Sequence, residues 1–354
     1  MKLPSYYRDL HLLYGVSSKE KMVRDYIKKF VQKNPLLSTN YEYFADNIGG
    51  FGYRKLANQN QAKVICFAAH LDEVGFLVEK INPNGTLELL KIGGLTNETI
   101  ISQAVTLINQ SNRQFSGLIA SIPPHLKSVA SNEKIICDLG MQDNIEVIKA
   151  GIKVGDFVTF AANYQQLTTN RVLAKSVDDR LGCACLLDLM QSLAKATLAV
   201  ELVFYFTVLE EVGTRGAEVL GNIVSCDYFL AIDCSPLLDY LSNNHEEPTL
   251  GAGFLLRLHD PVNILDQDFK NYLINLAAKK KIPYQQYFAK GSTDAAKMLI
   301  SQNGVKATTL GIGARYIHSN AAIFDIRDVK SVLKMSKVIV ESFSSAANPK
   351  TLQS

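Results

Sequence analysis

Histidine and acidic side chains recur in this sequence where a predicted core strand ends or a predicted helix begins. His70 and Asp72 stand two residues apart, directly after the apolar run at residues 64–69. On an extended segment they would lie on the same side, so Asp72 could orient the ring of His70 by accepting its second N–H. In isolation, a histidine in this position is more often a surface residue or a satisfied core residue.

Two adjacent carboxylates, Glu210 and Glu211, follow the apolar run LVFYFTVL. At the end of a buried strand they would repel each other unless a cation compensates them. A divalent metal ion held by one glutamate explains the pair, because the other then stays free to take a proton from the attacking water. The chemistry that this pair predicts is metal-assisted hydrolysis.

Three further residues occupy comparable positions. Asp178 opens a predicted helix, where an acidic residue also complements the helix dipole. Asp233 follows the apolar strand YFLAI, where a turn role explains it equally well, and His318 follows TTLGIG. Together with His70 and Glu211 they supply two imidazoles and three carboxylates. That set suffices for two divalent ions sharing one bridging carboxylate, and its nitrogen and oxygen donors suit zinc, cobalt or manganese.

The elements that must position these residues alternate between strands and helices, which predicts a layered α/β sheet. Open α/β sheets place their ligands at the carboxyl ends of strands, where these candidates fall. We predict helices at residues 18–34, 177–193, 267–280, 294–300 and 328–345, and strands at residues 64–69, 202–209, 228–232 and 307–312.

The sequence pattern changes between about residues 78 and 168. Its short alternating segments are broken by NPNG, IGG, NQSN, SIPP and KVGD, which is typical of a small all-β unit. A chain of 354 residues is also long for a single core. We therefore expect a catalytic domain formed by residues 1–75 and 170–354, interrupted by an inserted β-rich domain at residues 76–169.

Composition excludes several classes of protein. Hydrophobic residues make up 47% and charged residues 20% of the chain, which leaves no room for extended disorder. The net charge is +3 and basic residues are scattered, so a nucleic-acid partner is not expected. No segment approaches ~20 uninterrupted apolar residues and no leader pattern is present, so we expect no membrane partner and a cytoplasmic location.

Some residues look like site residues but have simpler explanations. The six cysteines form no CxxC pair, so buried free thiols are expected rather than disulfides. Cys183 and Cys185 are too close in sequence to hold one zinc ion together comfortably. His125 follows two prolines inside the insertion, far in sequence from the other candidates, and we expect it to be structural.

Six segments, HLDEVGF, SVDDRLG, EEVGTRGA, AIDCSP, GSTDAA and ARYIHS, in this order closely resemble the signature segments of the tetrahedral, dodecameric di-metal aminopeptidases. The likeness to the bacterial glutamyl aminopeptidase branch comes through FLAIDCSPLLD, TLGAGFLLRLHDP and TTLGIGARYIHS. It extends from about residue 23 to residue 340. Two segments depart from the pattern: GSTDAA stands where the family usually has GGTDAG, and SSKE where it has SGFE.

The resemblance implies two divalent metal ions in each subunit, with zinc or cobalt expected and manganese as the alternative. One ion would be held by His70 and Asp233 and the other by Glu211 and His318, with Asp178 bridging the two.

The resemblance also implies the remaining catalytic roles. Glu210 would be the general base, Asp72 would be the partner of the His70 ring, and the Asp178–Asp179 peptide bond would be cis. Peptides would be the substrates. The insertion would be the family's small β-barrel-like domain, which takes part in assembly, so we expect a homo-oligomer that forms a tetrahedral dodecamer.

A glutamyl preference would need a positive charge for the substrate's Glu or Asp side chain and an acidic group for its α-ammonium. We rank Lys290 first among the basic candidates, because the adjacent glycine lets the backbone approach a ligand closely. Arg257 and Arg315 are the other candidates, and each of the three could equally be a solvated surface charge. Asp294, in GSTD, is the remaining residue expected to bind substrate.

Other functions stay open at this point. A related two-metal amidohydrolase or deacylase uses the same ligand order, but its extra domain typically follows the fourth ligand, whereas here 108 residues separate His70 from Asp178. Aspartyl aminopeptidases usually have longer chains, and a glycosidase needs two flanking carboxyls but no metal pair. A broader-specificity aminopeptidase and an inactive assembly scaffold are the remaining alternatives. The intact Glu210 and ligand set argue against the scaffold.

Overall fold

A computed structural model describes residues 3–126, 134–241 and 247–345. The part of the chain before the barrel described below forms α1 (Ser5–Leu12), α2 (Lys21–Lys33), α3 (Pro35–Ser38), β1 (Glu42–Ala45), β2 (Phe51–Lys55) and β3 (Val64–His70). The amphipathic helix predicted at residues 18–34 is α2, which buries Val23, Ile27 and Val31 along one face.

A closed barrel follows directly. Its elements are β4 (Gly75–Ile81), β5 (Leu87–Ile92), α4 (Asn97–Ile100), β6 (Ala104–Ile108), β7 (Gln114–Ile119), β8 (Ile135–Asp138), α5 (Asn144–Lys149) and β9 (Phe157–Phe160). The strands close in the order β4-β5-β8-β7-β6-β9 around a separate hydrophobic core that includes Phe76 and Phe160. Closure leaves no free strand edge within this unit.

The rest of the chain completes the larger layer. It forms β10 (Tyr164–Gln166), β11 (Arg171–Ala174), α6 (Val177–Leu193), β12 (Glu201–Thr207), α7 (Arg215–Ile223), β13 (Tyr228–Pro236), β14 (Phe254–Asp260), β15 (Asn263–Ile264), α8 (Gln267–Lys279), β16 (Tyr284–Phe288), α9 (Asp294–Leu299), β17 (Lys306–Arg315), β18 (Ala322–Asp325) and α10 (Ile326–Ser345). The sheet order is β1-β2-β12-β3-β13-β17-β18-β11-β10, with β14, β15 and β16 attached through β17.

The centre of the large sheet is parallel and almost wholly apolar. Strand β3 lies between β12 and β13 and runs parallel to both, and β13 runs parallel to β17. All four strands are buried along most of their length, as expected when helices cover both faces of a parallel sheet. Their carboxyl ends therefore meet at one edge of the molecule.

The predicted fold class is confirmed: the chain has a layered mixed α/β sheet and a small β-barrel. Helix α6 has the predicted bounds, and the other predicted helices and strands are present with shifted ends. Strand β10 falls in the range assigned to the insertion, but it pairs with β11 in the large sheet. Outside the barrel, helices α1, α3 and α7 and strands β1, β2, β11, β14, β15, β16 and β18 were not predicted.

Two predictions about the whole chain can be compared with the described residues. All six cysteines are buried and free, as expected from their apolar surroundings. Across residues 3–126, 134–241 and 247–345, no helix is both long and apolar enough to cross a membrane.

Candidate metal centre and catalytic cleft

The parallel strands bring the predicted ligands to one edge of the sheet. His70 ends β3 and aligns with Thr207 at the end of β12, so Glu210 and Glu211 emerge next to it. Asp233 lies in the carboxyl half of β13, on the other side of β3. Chain segments far apart in sequence therefore converge because their strands end together.

Asp178 lies between the two histidines. Its Oδ1 is 3.0 Å from Nε2 of His70, and its Oδ2 is 3.4 Å from Nε2 of His318. The same Nε2 of His318 is 3.2 Å from Oε2 of Glu211. The peptide bond between Asp178 and Asp179 is cis. A carboxylate with one oxygen facing each imidazole has the arrangement expected of a bridging ligand.

Backbone carbonyls fix the orientation of both imidazoles. Nδ1 of His70 lies 3.1 Å from the backbone oxygen of Asp72, closer than the 3.5 Å to its carboxylate Oδ1. The backbone oxygen of Asp72 is thus the nearer partner of Nδ1 of His70, whereas the sequence predicted that the carboxylate of Asp72 would be. Nδ1 of His318 donates to the carbonyl of Gly94, 2.9 Å away, which follows β5 of the barrel. Each Nε2 is left facing the carboxylates.

Asp233 and Asp179 form a second group with His70 in which ligand atoms approach within 4.8 Å of one another. The first such group is His70, Asp178 and Glu211. Asp179 was not predicted as a ligand, and its oxygens accept hydrogen bonds from the backbone N–H groups of His70 and Gly182. These hydrogen bonds indicate that Asp179 stabilises the start of α6. Asp233 is then the carboxylate of the second group that is available to a metal ion.

The electrostatics of this cluster favour a bound cation. Burial raises the pKa of Asp233 to about 8 and the pKa of Glu211 above its usual value. Burial alone would lower the pKa of His318, but the carboxylates of Asp178 and Glu211 outweigh it and raise that pKa to about 11. Without a metal ion, these raised pKa values mean that the cluster binds protons. Divalent ions would replace those protons.

The residues present fit a pair of divalent metal ions. Oε1 of Glu211 is buried and has no hydrogen-bond partner among the described residues, so its desolvation is uncompensated without a cation. The donors are imidazole nitrogens and carboxylate oxygens, which suit zinc, cobalt or manganese better than metals that prefer thiolates.

A cleft of about 560 Å³ opens beside the cluster. Glu210 and the ligands line one side, and the loop from Lys290 to Thr293 lines another. Lys290 is exposed, and within the described part of the chain its ammonium makes no hydrogen bond or ion pair. It is therefore a cation available to a ligand.

The other predicted substrate residues are engaged within the protein. Arg257 lines the cleft but is buried, and it donates to Ser235 Oγ at 2.9 Å and to the carbonyl of Gly291 at 3.1 Å. Arg315 forms an ion pair with Asp239 at 2.7 Å. Asp294 is buried and is not among the residues that line the cleft, and its Oδ2 accepts from the hydroxyl of Thr207 at 2.5 Å.

The residues set aside from the site are not among those that line the cleft. His125 is exposed on a short 3₁₀ turn. Cys183 donates its thiol to the carbonyl of His70 at 3.1 Å, and Cys185 is fully buried. Both cysteines pack in the main hydrophobic core, as the sequence predicted.

Sequence reasoning missed two groups of residues that support the centre. The first is a buried ionic cluster in which the carboxylate of Glu73 binds Lys175, Ser176 and Arg180, just before and after Asp178. The second is formed by Ser17 and Glu20, which contact Asp72 and the loop after β12. Only the SSKE segment gave a signal, through its partial match to SGFE.

A family model described as M42 glutamyl aminopeptidase matches residues 50–335. The chain belongs to this family. Aminopeptidases of the family are metal-dependent hydrolases, in agreement with the ligand cluster, so the protein is a metal-dependent aminopeptidase. The resemblance drawn from the six sequence segments is thereby confirmed.

Individual relatives agree with the family. A glutamyl aminopeptidase of Lactococcus lactis is 33% identical over 94% of this chain and 94% of its own length. A lysyl aminopeptidase of Pyrococcus furiosus is 27% identical over 80% of this chain and 83% of its own length. The structure of the Pyrococcus horikoshii TET1 peptidase, which can assemble into a tetrahedron or a large octahedral shell, aligns with a TM-score of 0.83 and 26% identity. That alignment covers 95% of this chain and 98% of the relative.

Proposed function

We propose that the protein removes N-terminal residues from peptides by metal-assisted hydrolysis of the first peptide bond. His70, Asp178, Glu211, Asp233 and His318 would hold two divalent ions, with Asp178 as the bridging ligand. When bound, the ions polarise the scissile carbonyl and lower the pKa of the attacking water. Zinc or cobalt is the expected metal, and manganese is the alternative.

Glu210 is the general base in this proposal. Its carboxylate lines the cleft, is partly exposed, and accepts no hydrogen bond from any described residue. Its backbone, by contrast, is held, because its N–H donates to Asp72 and its carbonyl accepts from Gly213 and Thr214. A fixed main chain with a free carboxylate suits proton transfer from water to the departing amine. This free carboxylate beside the ligand cluster is the observation that carries the proposal.

A preference for N-terminal Glu or Asp is the finer part of the proposal. Lys290 supports it, because an exposed, unpaired ammonium on the cleft wall can pair with an acidic side chain. Arg257 is less suited to this role, since two of its nitrogens already donate to Ser235 and Gly291. The relatives include proteins named for glutamyl and for lysyl activity, so the choice rests on the residues of this cleft.

The test is a panel of Glu, Asp, Leu and Lys arylamides, assayed with zinc, cobalt and manganese in turn. We expect hydrolysis only with metal and the highest kcat/KM for Glu or Asp. A preference for Leu or Lys would remove the glutamyl assignment and leave the aminopeptidase intact. Absence of turnover together with absence of bound metal would favour an inactive scaffold.

We also propose that the subunits form a homo-oligomer, with a tetrahedral dodecamer as the expected state. The support is the overall similarity to a TET1 peptidase that assembles in this way. Light scattering of the purified protein would give the mass of the assembly, and a monomer would contradict the proposal. The cytoplasmic location stays a prediction.

A further inference from the structure

The loop after β12 donates three consecutive backbone N–H groups to carboxylates from distant parts of the chain. The N–H of Leu209 donates to Oε1 of Glu20 at 3.3 Å. The N–H groups of Glu210 and Glu211 donate to Oδ1 and Oδ2 of Asp72 at 3.0 and 3.1 Å. The backbone that carries the proposed base and a proposed ligand is therefore held from one side by two acidic side chains.

Asp72 is fully buried, so its carboxylate needs hydrogen-bond donors to remain charged. Besides the two amides, it accepts a hydrogen bond from the hydroxyl of Ser17, whose Oγ lies 2.7 Å from Oδ2. Ser17 is also buried. Its hydroxyl donates to the same oxygen that accepts from Glu211, so it restrains rotation of the carboxylate that faces both amides.

Local contacts fix Ser17 in place. Gly15, two residues earlier, donates its N–H to the carboxylate of Glu73 at 2.8 Å, and its carbonyl accepts from the N–H of Glu73 at 3.1 Å. Lys19 closes a turn by donating to the carbonyl of Val16 at 2.7 Å. The segment from Gly15 to Lys19 therefore has little freedom, and the hydroxyl of Ser17 is directed at Asp72.

We propose that Ser17 is a positioning residue for the reaction, which acts through Asp72 on the loop that carries Glu210 and Glu211. This inference rests on the proposed role of Glu210 as base. Without the hydroxyl, the carboxylate of Asp72 loses one of its donors, and the two amides lose a fixed acceptor. The carboxylate of Glu210 then occupies its reactive position for a smaller fraction of the time, while the peptide cleft itself is unchanged.

The experiment compares Ser17→Ala with Ser18→Ala and Ser17→Thr in the full-length, metal-loaded protein. Ser18 is exposed and its hydroxyl makes no hydrogen bond within the described residues, while its backbone N–H, which donates to Glu20, is kept in alanine, so Ser18→Ala is the matched control. We expect Ser17→Ala to lower kcat roughly tenfold with KM and metal content unchanged, since a hydrogen bond to a charged group has about this effect. Ser17→Thr, which keeps the hydroxyl, should restore kcat, and Ser18→Ala should match the wild type.

A second measurement does not depend on turnover. Hydrogen exchange of the peptide covering residues 208–212 should be about tenfold faster in Ser17→Ala than in the wild type, because a lost acceptor weakens the protection of those amides. The metal-free proteins should show the same difference. Unchanged exchange in this peptide, or an equal fall in kcat for Ser18→Ala, would overturn the positioning role. A wild type that hydrolyses no arylamide would overturn the proposed function instead, and the exchange result would still decide the role of Ser17.

Discussion

Glu210 and Glu211 are identical side chains in consecutive positions on the same cleft, yet their partners differ. The side chain of Glu211 is 4% exposed and faces His318, whereas the carboxylate of Glu210 lines the open cleft without a partner among the described residues. Leu209, just before them, has a positive φ of 58°, which turns the chain away from the path of β12. The two carboxylates are therefore suited to the separate roles that we propose for them.

The separation of roles can be tested with Glu210→Gln. Because the amide keeps the shape and removes the base, we expect kcat to fall roughly 10²- to 10⁴-fold while both ions stay bound. Glu211→Gln is the matched comparison and should lose metal as well as activity. Steady-state kinetics and elemental analysis check both variants, and near-normal turnover in Glu210→Gln would remove it from the role of base.

The bridging assignment separates Asp178 from Asp233. Asp178 contacts both histidines, so Asp178→Ala should lose both ions, whereas Asp233→Ala should keep one. Activity should be lost in both variants. Metal content measured after dialysis distinguishes them, and two retained ions in Asp178→Ala would place the bridge on another residue.

The proposed role of Lys290 can be tested through substrate specificity. Lys290→Ala should raise KM for a Glu substrate far more than for a Leu substrate, since only the acidic side chain uses the ammonium. Lys279→Ala, which changes another exposed lysine at the end of α8, should affect neither substrate. An equal change for both substrates in Lys290→Ala would contradict the acidic pocket.

Helix α1 is tied to the segment that carries Asp178 of the candidate metal centre. His11 is fully buried, and its Nδ1 donates to the carbonyl of Lys175 at 3.0 Å. Arg180 binds the carbonyls of Leu10 and Leu13 near the end of the same helix. The first helix therefore packs directly against the residues that flank Asp178.

The buried His11 predicts a pH dependence of stability. Burial lowers its pKa to about 3, from 6.5, so the unfolded chain binds more protons than the folded one between these values. The free energy of unfolding should then fall with decreasing pH by up to about 1.4 kcal/mol per pH unit in that window. His11→Asn keeps a donor for Lys175 but cannot be protonated, so it should lose this contribution. Denaturant unfolding of the chelated proteins at pH 7 and 5.5 checks the slope.

The exposed His125 supplies the control for that experiment. His125→Asn makes the same change at an exposed histidine outside the buried core, so it controls for the substitution itself. If the slopes of the wild type and His11→Asn were the same, burial of a neutral imidazole would not be the cause.

Elements with clear periodicity were predictable from the sequence. The apolar runs gave the core strands, and α6 was predicted with its observed bounds because its buried residues repeat around most of the helix. Helix α7 was missed because its nine residues include two glycines, which disfavour a helix. In the structure a Cβ at Gly216 would lie 2.4 Å from the carbonyl of Val208, so close packing explains the residue.

The predicted strand 202–209 ended too late for a related reason. Its last two residues are apolar, but the carbonyl of Val208 accepts from Gly216 and the N–H of Leu209 donates to Glu20. These partners lie far away in sequence or on a helix that was not predicted. The same applies to Ser17 with Asp72, whose contact spans 55 residues. Sequence pattern predicted which residues would form the candidate site, but the contacts that hold those residues depend on the complete fold.

For the whole molecule, the metal ions should add to the stability of the fold. The centre joins β3, β12 and β13 to the start of α6, so ions that bind only the folded state favour it by mass action. At a free ion concentration 100 times the Kd, each site would contribute about 2.7 kcal/mol. Chelation should therefore lower Tm and added metal should restore it, with no response in Asp178→Ala. An unchanged Tm after verified loss of metal would show that the site is formed without ions.

The hydrogen bond between the carbonyl of Gly94 and His318 restricts which barrels could replace the present one during evolution. Because this residue, which follows β5 of the barrel, accepts a hydrogen bond from the imidazole of His318, the insertion supplies part of the candidate centre. A Cβ at position 94 would lie 3.1 Å from Nδ1 of that ring, so a larger residue there would crowd it. The barrel is thus not an independent module that recombination could exchange freely. A chimaera carrying the barrel of a distant homologue should keep its catalytic competence only if the donor presents a carbonyl at the same place.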